Sequence, residues 1–261
     1  MKKFELTSEF NLNFFGRKFF RIKALVNIER YGVKAGDLGG WVEKEDNLSQ
    51  SGNAWVSSNA KVSGDAWVSG DTWVSGDAVV YGNAKVSGNA KVSGDAVVYG
   101  DAVVSGNAKV SGNAKVSGDA VVYGNAKVSG DAVVSGDAKV YGDAWVSGDA
   151  VVSGNAEVSG GAEVSGDAVV YGNAEVSGDA KVSGDADYAV IKGFGTVYRP
   201  TTFFRCHDGE ARVTCGCFYG TIDEFREQVK RTRKGKVADE YLKIADLMEY
   251  HFKEEDSGEN V

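Results

Sequence analysis

A valine falls at every sixth position from Val56 to Val182, twenty-two times without a slip. A repeat this short is smaller than any supersecondary unit and cannot bury its apolar side alone, so it must be one side of a coil that closes by stacking. The unit reads A-x-V-x-G-N/D, as in NAKVSG, DAWVSG and DAVVYG. Residues two apart in an extended run point the same way, so each unit turns one alanine and one valine inward and the residue between them outward. Thr72 is the single exception at the small position. The Gly-Asn or Gly-Asp pair marks a corner, because these residues tolerate dihedrals that others resist. Gly161 replaces the polar member once, at no cost to the corner.

Three six-residue sides make an eighteen-residue triangular coil. The lattice supplies a little over seven coils and, at roughly 4.8 Å per rung, a rod about 35 Å long. Stability in such an object accumulates by neighbour stacking. A flexible Gly/Ser linker has no reason to keep one valine in six.

The order of bulky aliphatic, variable and small residues, as in Val56-Ser57-Ser58-Asn59-Ala60 and Val62-Ser63-Gly64-Asp65-Ala66, resembles the left-handed parallel β-helix of hexapeptide-repeat proteins across residues 53–186. The left hand is what the resemblance implies; spacing alone does not choose it. The whole chain is also similar to a prophage-type family often labelled transferases because of the repeat. Residues Lys34-Ala35-Gly36-Asp37-Leu38-Gly39-Gly40-Trp41-Val42-Glu43, Asp46 to Gln50, Cys215-Gly216-Cys217-Phe218 and Gly220 to Phe225 carry that likeness. They are family markers without an assigned reaction.

The expected fold is therefore mainly β: a triangular solenoid over 51–187, an N-terminal cap and irregular first coil over 1–50, a β-hairpin and two-helix module over 188–253, and a polar tail over 254–261. Phe4-Glu5-Leu6, Phe14-Phe15 and Phe19-Phe20-Arg21-Ile22 suit a cap, since an open solenoid end exposes unpaired backbone and valine. Trp41, Val42 and Leu48 belong to the first coil. Thr202 to Arg205 and Arg212 to Cys215 flank Asp208-Gly209, a hairpin signal. Thr221 and Glu224 form a capping-box pattern. Val237, Tyr241, Ile244 and Met248 mark the stripe of a second helix from about Val237 to Phe252, which docks on the hairpin, the final coil or a rod face.

Charge is uneven. Residues 1–34 carry eight Lys/Arg against three Glu, whereas 53–187 carry eight Lys against seventeen Asp/Glu. Corner aspartates such as Asp65, Asp95, Asp119 and Asp149 supply most of the acid. An acidic rod is poor footing for nucleic acid. No run of residues is long and apolar enough to span a membrane. No secretory pattern is expected at the amino end, and three cysteines make no even disulfide framework. A cytoplasmic setting with free thiols is the expectation.

Sorting the outward residues by the eighteen-residue period gives three stacks. One reads Lys61, Val79, Val97, Lys115, Val133, Val151 and Val169, with Tyr81, Tyr99 and Tyr171 on the same side. A second reads Trp55, Trp73, Lys91, Lys109, Lys127, Trp145, Glu163 and Lys181. The third reads Trp67, Lys85, Val103, Val121, Lys139, Glu157 and Glu175, with Tyr123 and Tyr141 beside it. Apolar strips often mark interfaces, so the expected interface residues are Val79, Tyr81, Val97, Tyr99, Val133, Val151, Val169 and Tyr171. Its rivals are a cover by the returning helix and the plain β-propensity of valine.

The leading functional expectation is a nonenzymatic structural or partner-binding scaffold, with a phage host-interaction protein as one form of it, working as a homo-oligomer (dimer or trimer) or on a host protein. A small ligand is a further possibility. The alternative is an acyltransferase of the hexapeptide-repeat class acting on a small molecule between subunits. That class implies a histidine as general base, yet the repeats contain none; His207 is the weak catalytic candidate. Cys206, His207, Cys215 and Cys217 are weak zinc candidates, since the hairpin turn separates them and places Cys215 and Cys217 on its inward side. No cofactor is expected.

Overall fold

The structure, a computed structural model, describes residues 2–12 and 16–253. Phe14-Phe15 and the 254–261 tail lie outside the described residues. The chain is a parallel β-solenoid of about eight turns with an antiparallel sheet and two helices at its C-terminal end.

Every hexapeptide contributes a two-residue strand, from Trp55–Val56 to Lys181–Val182. Each pairs in parallel with the strand eighteen residues away, as Val97 with Val79 and Lys115. Backbone bonds run between turns: Val97 N–H donates to Ala114 O at 2.9 Å and Tyr99 N–H to Val116 O at 3.0 Å. The twenty-two lattice valines are fully buried, as are the alanines two residues before them. Thr72 is buried too, and its hydroxyl satisfies itself by donating to Ser69 O at 2.6 Å. At the corners glycine is needed: Gly112 has φ +69°, and a Cβ there would lie 2.9 Å from both N and O of Gly130. Ser58 holds a left-handed φ of 58° at the corresponding place in the first full unit.

Strands Phe4–Leu12 and Lys18–Ala24 form an antiparallel pair, and Leu38–Val42 adds to the second of them. Trp41 and Val42 then pair in parallel with Lys61 and Val62, and Leu48 bridges Val68. The cap thus extends one face of the rod into a ten-stranded sheet. Phe4, Ile22 and Val42 lie in the rod's own core, which closes the first turn. Asn47 seals another edge by donating to Gly64 O at 3.0 Å and Ala66 O at 2.9 Å. Trp55 was expected to face outward, but it is 1% exposed. The close approach of Gly39, where an added Cβ would lie 2.7 Å from Trp55 Cζ2, accounts for this. Tyr31 similarly packs on Trp73, with ring centroids 4.5 Å apart.

Lys3 is buried in this cap, and its ammonium donates to Ala54 O at 2.7 Å. Burial lowers its pKa from 10.5 to about 8, and the charge of Asp71 opposes that shift only in part. Between those two values the unfolded chain binds more protons than the folded one, so stability rises with pH. Relative to Lys3→Met, wild-type protein should gain thermal stability between pH 8 and 10; the opposing titration of Cys206, held at about 11 by burial, is common to both and cancels in the difference. Calorimetric melting of both proteins checks this, and parallel pH profiles would refute the assignment.

At the other end, strands Tyr188–Ile191, Thr201–Arg205, Ala211–Cys215 and Phe218–Thr221 form one antiparallel sheet in chain order. The hairpin at Asp208-Gly209 is as expected; the two outer strands carry no signal comparable to it. One side of the sheet, through Tyr188, Phe204 and Cys206, joins the rod core. The other, through Phe203 and Val213, packs on helices α1 (Ile222–Thr232) and α2 (Gly235–Phe252). The Thr221–Glu224 capping box starts α1, with Glu224 N–H donating to Thr221 Oγ1 at 3.1 Å. Ile222, Phe225 and Val229 meet Tyr241, Ile244 and Met248. So α2 is spent on this module.

The last rungs find side-chain partners. Val169 N–H donates to Asp185 Oδ1 at 3.0 Å, and Tyr188 Oη donates to Val169 O. Glu175 N–H donates to Thr202 Oγ1 at 3.0 Å, while Thr214 Oγ1 donates to Glu175 O at 2.8 Å. These bonds replace the missing next turn, where orphaned backbone groups would otherwise be costly.

Candidate functional site

The three expected stacks are three faces of the rod. Val79, Val97, Lys115, Val133, Val151 and Val169 lie in register on one sheet. Each of these valines is half-buried, shielded on two sides by its neighbours in the stack except at Val169, where the stack ends. Tyr81 and Tyr99 stack with centroids 5.1 Å apart and planes 3° from parallel. Tyr171 stands apart from that pair and is 63% exposed. Val133 lies two rungs beyond the rung of Tyr99 and Val151 three, and their flanking residues are Ser135 and Ser153. The result is a flat apolar ladder with aromatic edges, interrupted once by exposed Lys115.

The ladder ends in a groove of about 410 Å³ lined by Tyr171, Asn173, Asp185, Tyr188, Lys192 and Pro200. Burial, with Tyr171 close by, pushes the Tyr188 hydroxyl up to about 12, so it stays a neutral donor at physiological pH. Nothing in the hexapeptide pattern pointed to this groove. Its one sequence signal is Pro200, the chain's single proline, ahead of the strand Thr201–Arg205.

On the other faces Tyr123 and Tyr141 stack at 4.9 Å. Lys139 pairs with Glu157 at 2.8 Å, and Lys127 lies 5.7 Å from the Trp145 ring. Glu175 is held above the ordinary carboxylate range by burial first and by the charge of Glu157 second. Thr214, Gly216 and Cys217 close over these two glutamates.

The cysteine and histidine candidates do not converge. Cys206 is buried against the rod end, and burial pushes its thiol up to about 11, which disfavours the thiolate that a nucleophile or zinc ligand needs. Cys215 is half-buried and accepts from Thr201 Oγ1 at 3.2 Å. Cys217 was expected on the inward side; it is exposed, because Gly216 with φ +64° turns the chain before it. Among the described residues no three His, Cys, Asp or Glu side chains are grouped to hold a metal ion. His207 sits where the hairpin meets the rod: its backbone N–H donates to Asp179 O at 3.1 Å, and its ring Nε2 lies 3.6 Å from Glu163 Oε2. Asp208, a possible orienting partner for His207, instead accepts from Glu210 N–H at 3.0 Å and pairs with Arg212 at 2.5 Å. No helix among the described residues is long and apolar enough to cross a membrane.

Fold and faces together define a capped β-solenoid. The YdcK Beta solenoid repeat family matches residues 90–106, which carry the rungs Lys91–Val92, Val97–Val98 and Val103–Val104, about one turn. No curated protein matches the chain.

Proposed function

We propose that the protein is a nonenzymatic structural scaffold that holds a partner on its valine–tyrosine face. The observation that carries this reading is an apolar ladder left open while both helices are spent elsewhere: α1 and α2 pack on the C-terminal sheet, and Tyr81 and Tyr171 remain 38% and 63% exposed. Repeated valines on a flat sheet offer a surface that excludes water over a long strip without demanding one fixed side-chain arrangement. The occupant is a second copy, in a dimer or trimer, or a host protein. The likeness of residues 34–43, 46–50, 215–218 and 220–225 to prophage-type proteins supports a host partner, and three cysteines without an even disulfide framework support a cytoplasmic setting.

The test substitutes Val97→Lys together with Val133→Lys. Both residues face outward, so the melting temperature should hold within a few degrees. Native mass and co-purifying proteins are compared with wild type. The expected result is an assembly, or a bound protein, lost only in the variant. Unchanged mass with unchanged co-purification sinks the reading. A second reading, an acyltransferase site between subunits, is favoured by the His207–Glu163 pair alone. A monomeric wild type removes it, because such a site needs two rods.

A further inference from the structure

The corners of the rod are not alike. From the Val79 rung to the Val169 rung, the corners preceding the valine–tyrosine strands carry Asp77, Asp95, Asp131, Asp149 and Asp167 with Asn113 once among them, and those following carry Asp101, Asp119 and Asp137 on consecutive rungs between Asn83 and Asn155. All eight are exposed, and none has an ion pair among the described residues. The third corner, on the far side of the rod, is neutral from Asn89 to Asn125 and carries Asp143 and Asp179 beyond it. There Asn89, Asn107 and Asn125 form a ladder that ends on Asp143, each amide donating to the next residue at 2.9–3.0 Å. The apolar strip is therefore bounded by five aspartates along one edge and by three on consecutive rungs, at its middle, along the other.

Like charges stacked one rung apart cost stability, and asparagine fits these corners equally well, as the third column shows. Yet eight of the twelve corner positions beside the open valines are aspartate, against two of six, Asp143 and Asp179, on the third corner over the same rungs. A second copy is a poor occupant. Face to face, it would set acidic edges on acidic edges. Its lysine face would bring Lys91, Lys109 and Lys127 down the midline, against valine.

We infer that the valine–tyrosine face binds a basic amphipathic helix of a partner protein, its apolar stripe on the valines and its Lys/Arg flanks on the two aspartate edges. This rests on the reading of that face as a binding surface. Six residues separate one edge from the other, roughly 15–20 Å along a strand. A helix 10–12 Å across fits between them. From Val79 to Val169 the strip runs five rungs, roughly 24 Å, which a helix of about sixteen residues spans. Lys115, midway, calls for one acidic residue in the partner's stripe.

The probe is a fluorescein-labelled eighteen-residue helical peptide with a leucine stripe, one central glutamate and lysine on both flanks. Its control carries glutamate on the flanks. Anisotropy titrations with full-length protein should show the lysine peptide binding at least about tenfold tighter, with an affinity that falls as salt rises. Asp131→Asn/Asp137→Asn/Asp149→Asn should weaken it several-fold and flatten the salt dependence. Val133→Lys/Val151→Lys should abolish binding. Asp143→Asn/Asp179→Asn, at the far corner, should change nothing. Equal binding of the two peptides, no binding, or equal loss in the far-corner variant overturns the inference. If the peptide fails while wild type is an oligomer broken by Val97→Lys/Val133→Lys, the face still binds and its occupant is a second copy. If both fail, the binding face falls with the inference.

Discussion

Val134→Asp is expected to break the rod in its middle, while Val133→Asp, one residue earlier on the same strand, leaves it folded. Val134 is fully buried and sits in register between Val116 and Val152. Removing the valine forfeits ~1.5–3 kcal/mol of burial. A carboxylate in its place adds several kcal/mol of desolvation with no partner in a core of valine and alanine. The sum, about 5 kcal/mol or more, rivals the whole stability of an ordinary domain. Because each turn touches only its neighbours, the damage is local: the turns before and after lose their shared interface and unfold as separate blocks. Val133 is half-buried, and its side chain turns to the outside of the same sheet. Aspartate there costs about 1 kcal/mol of strand preference. Circular dichroism melting should place Val133→Asp within a few degrees of wild type. Val134→Asp should melt about 10–20 °C lower and in more than one step. Limited proteolysis should cut it near residues 130–140. Similar melting of the two variants would show that the inward phase of the lattice is misassigned.

Gly40→Ala carries the second large effect, at the cap. A Cβ at Gly40 would lie 2.7 Å from Ala60 O and from Val56 Cγ1, and one at Gly39 would lie 2.6 Å from Val56 O. The obstacles are backbone oxygens held by rung bonds, such as Trp41 N–H to Ala60 O at 2.9 Å. They cannot swing aside as a long side chain does. The expected loss is about 2–3 kcal/mol, with Leu38–Val42 levered off Lys61–Val62. Uncovering that edge invites intermolecular strand pairing, so light scattering on mild heating should rise with the loss of stability. Gly161→Ala is the control: its nearest non-neighbour atom would be 3.6 Å away, and it should behave as wild type. A stable, non-aggregating Gly40→Ala protein would mean that the cap approaches the first turn less closely than described.

Much of the rod is legible in the sequence, for a simple reason. A period of six with a fixed inward pair leaves one register, and any slip would expose every valine at once. The corner glycines, the outward stacks and the Asp208-Gly209 hairpin follow from local rules of the same kind. The candidate face was legible as well, because stacking at eighteen residues makes spatial neighbours from arithmetic. Its acidic borders follow from the same arithmetic applied to Asp77, Asp101 and their successors. The groove beside Tyr171 was not legible. Asp185, Tyr188 and Lys192 reach it through a strand whose pairing partner, Thr201–Arg205, lies beyond an irregular loop. Trp55 misled for a related reason: its parity is outward, yet a cap some fifteen residues earlier folds back over it.

The repeating core is readable from the order of amino acids alone, because each valine's environment is made by other copies of its own unit. The ends, and what they leave open, were set by the folded structure. It spent α1 and α2 on the C-terminal sheet, placed Lys3 and Asn47 on backbone oxygens of the first turns, and buried Cys206 while exposing Cys217. Those outcomes depend on contacts between non-repeating segments far apart in the chain, where no period relates one residue to its neighbour in space.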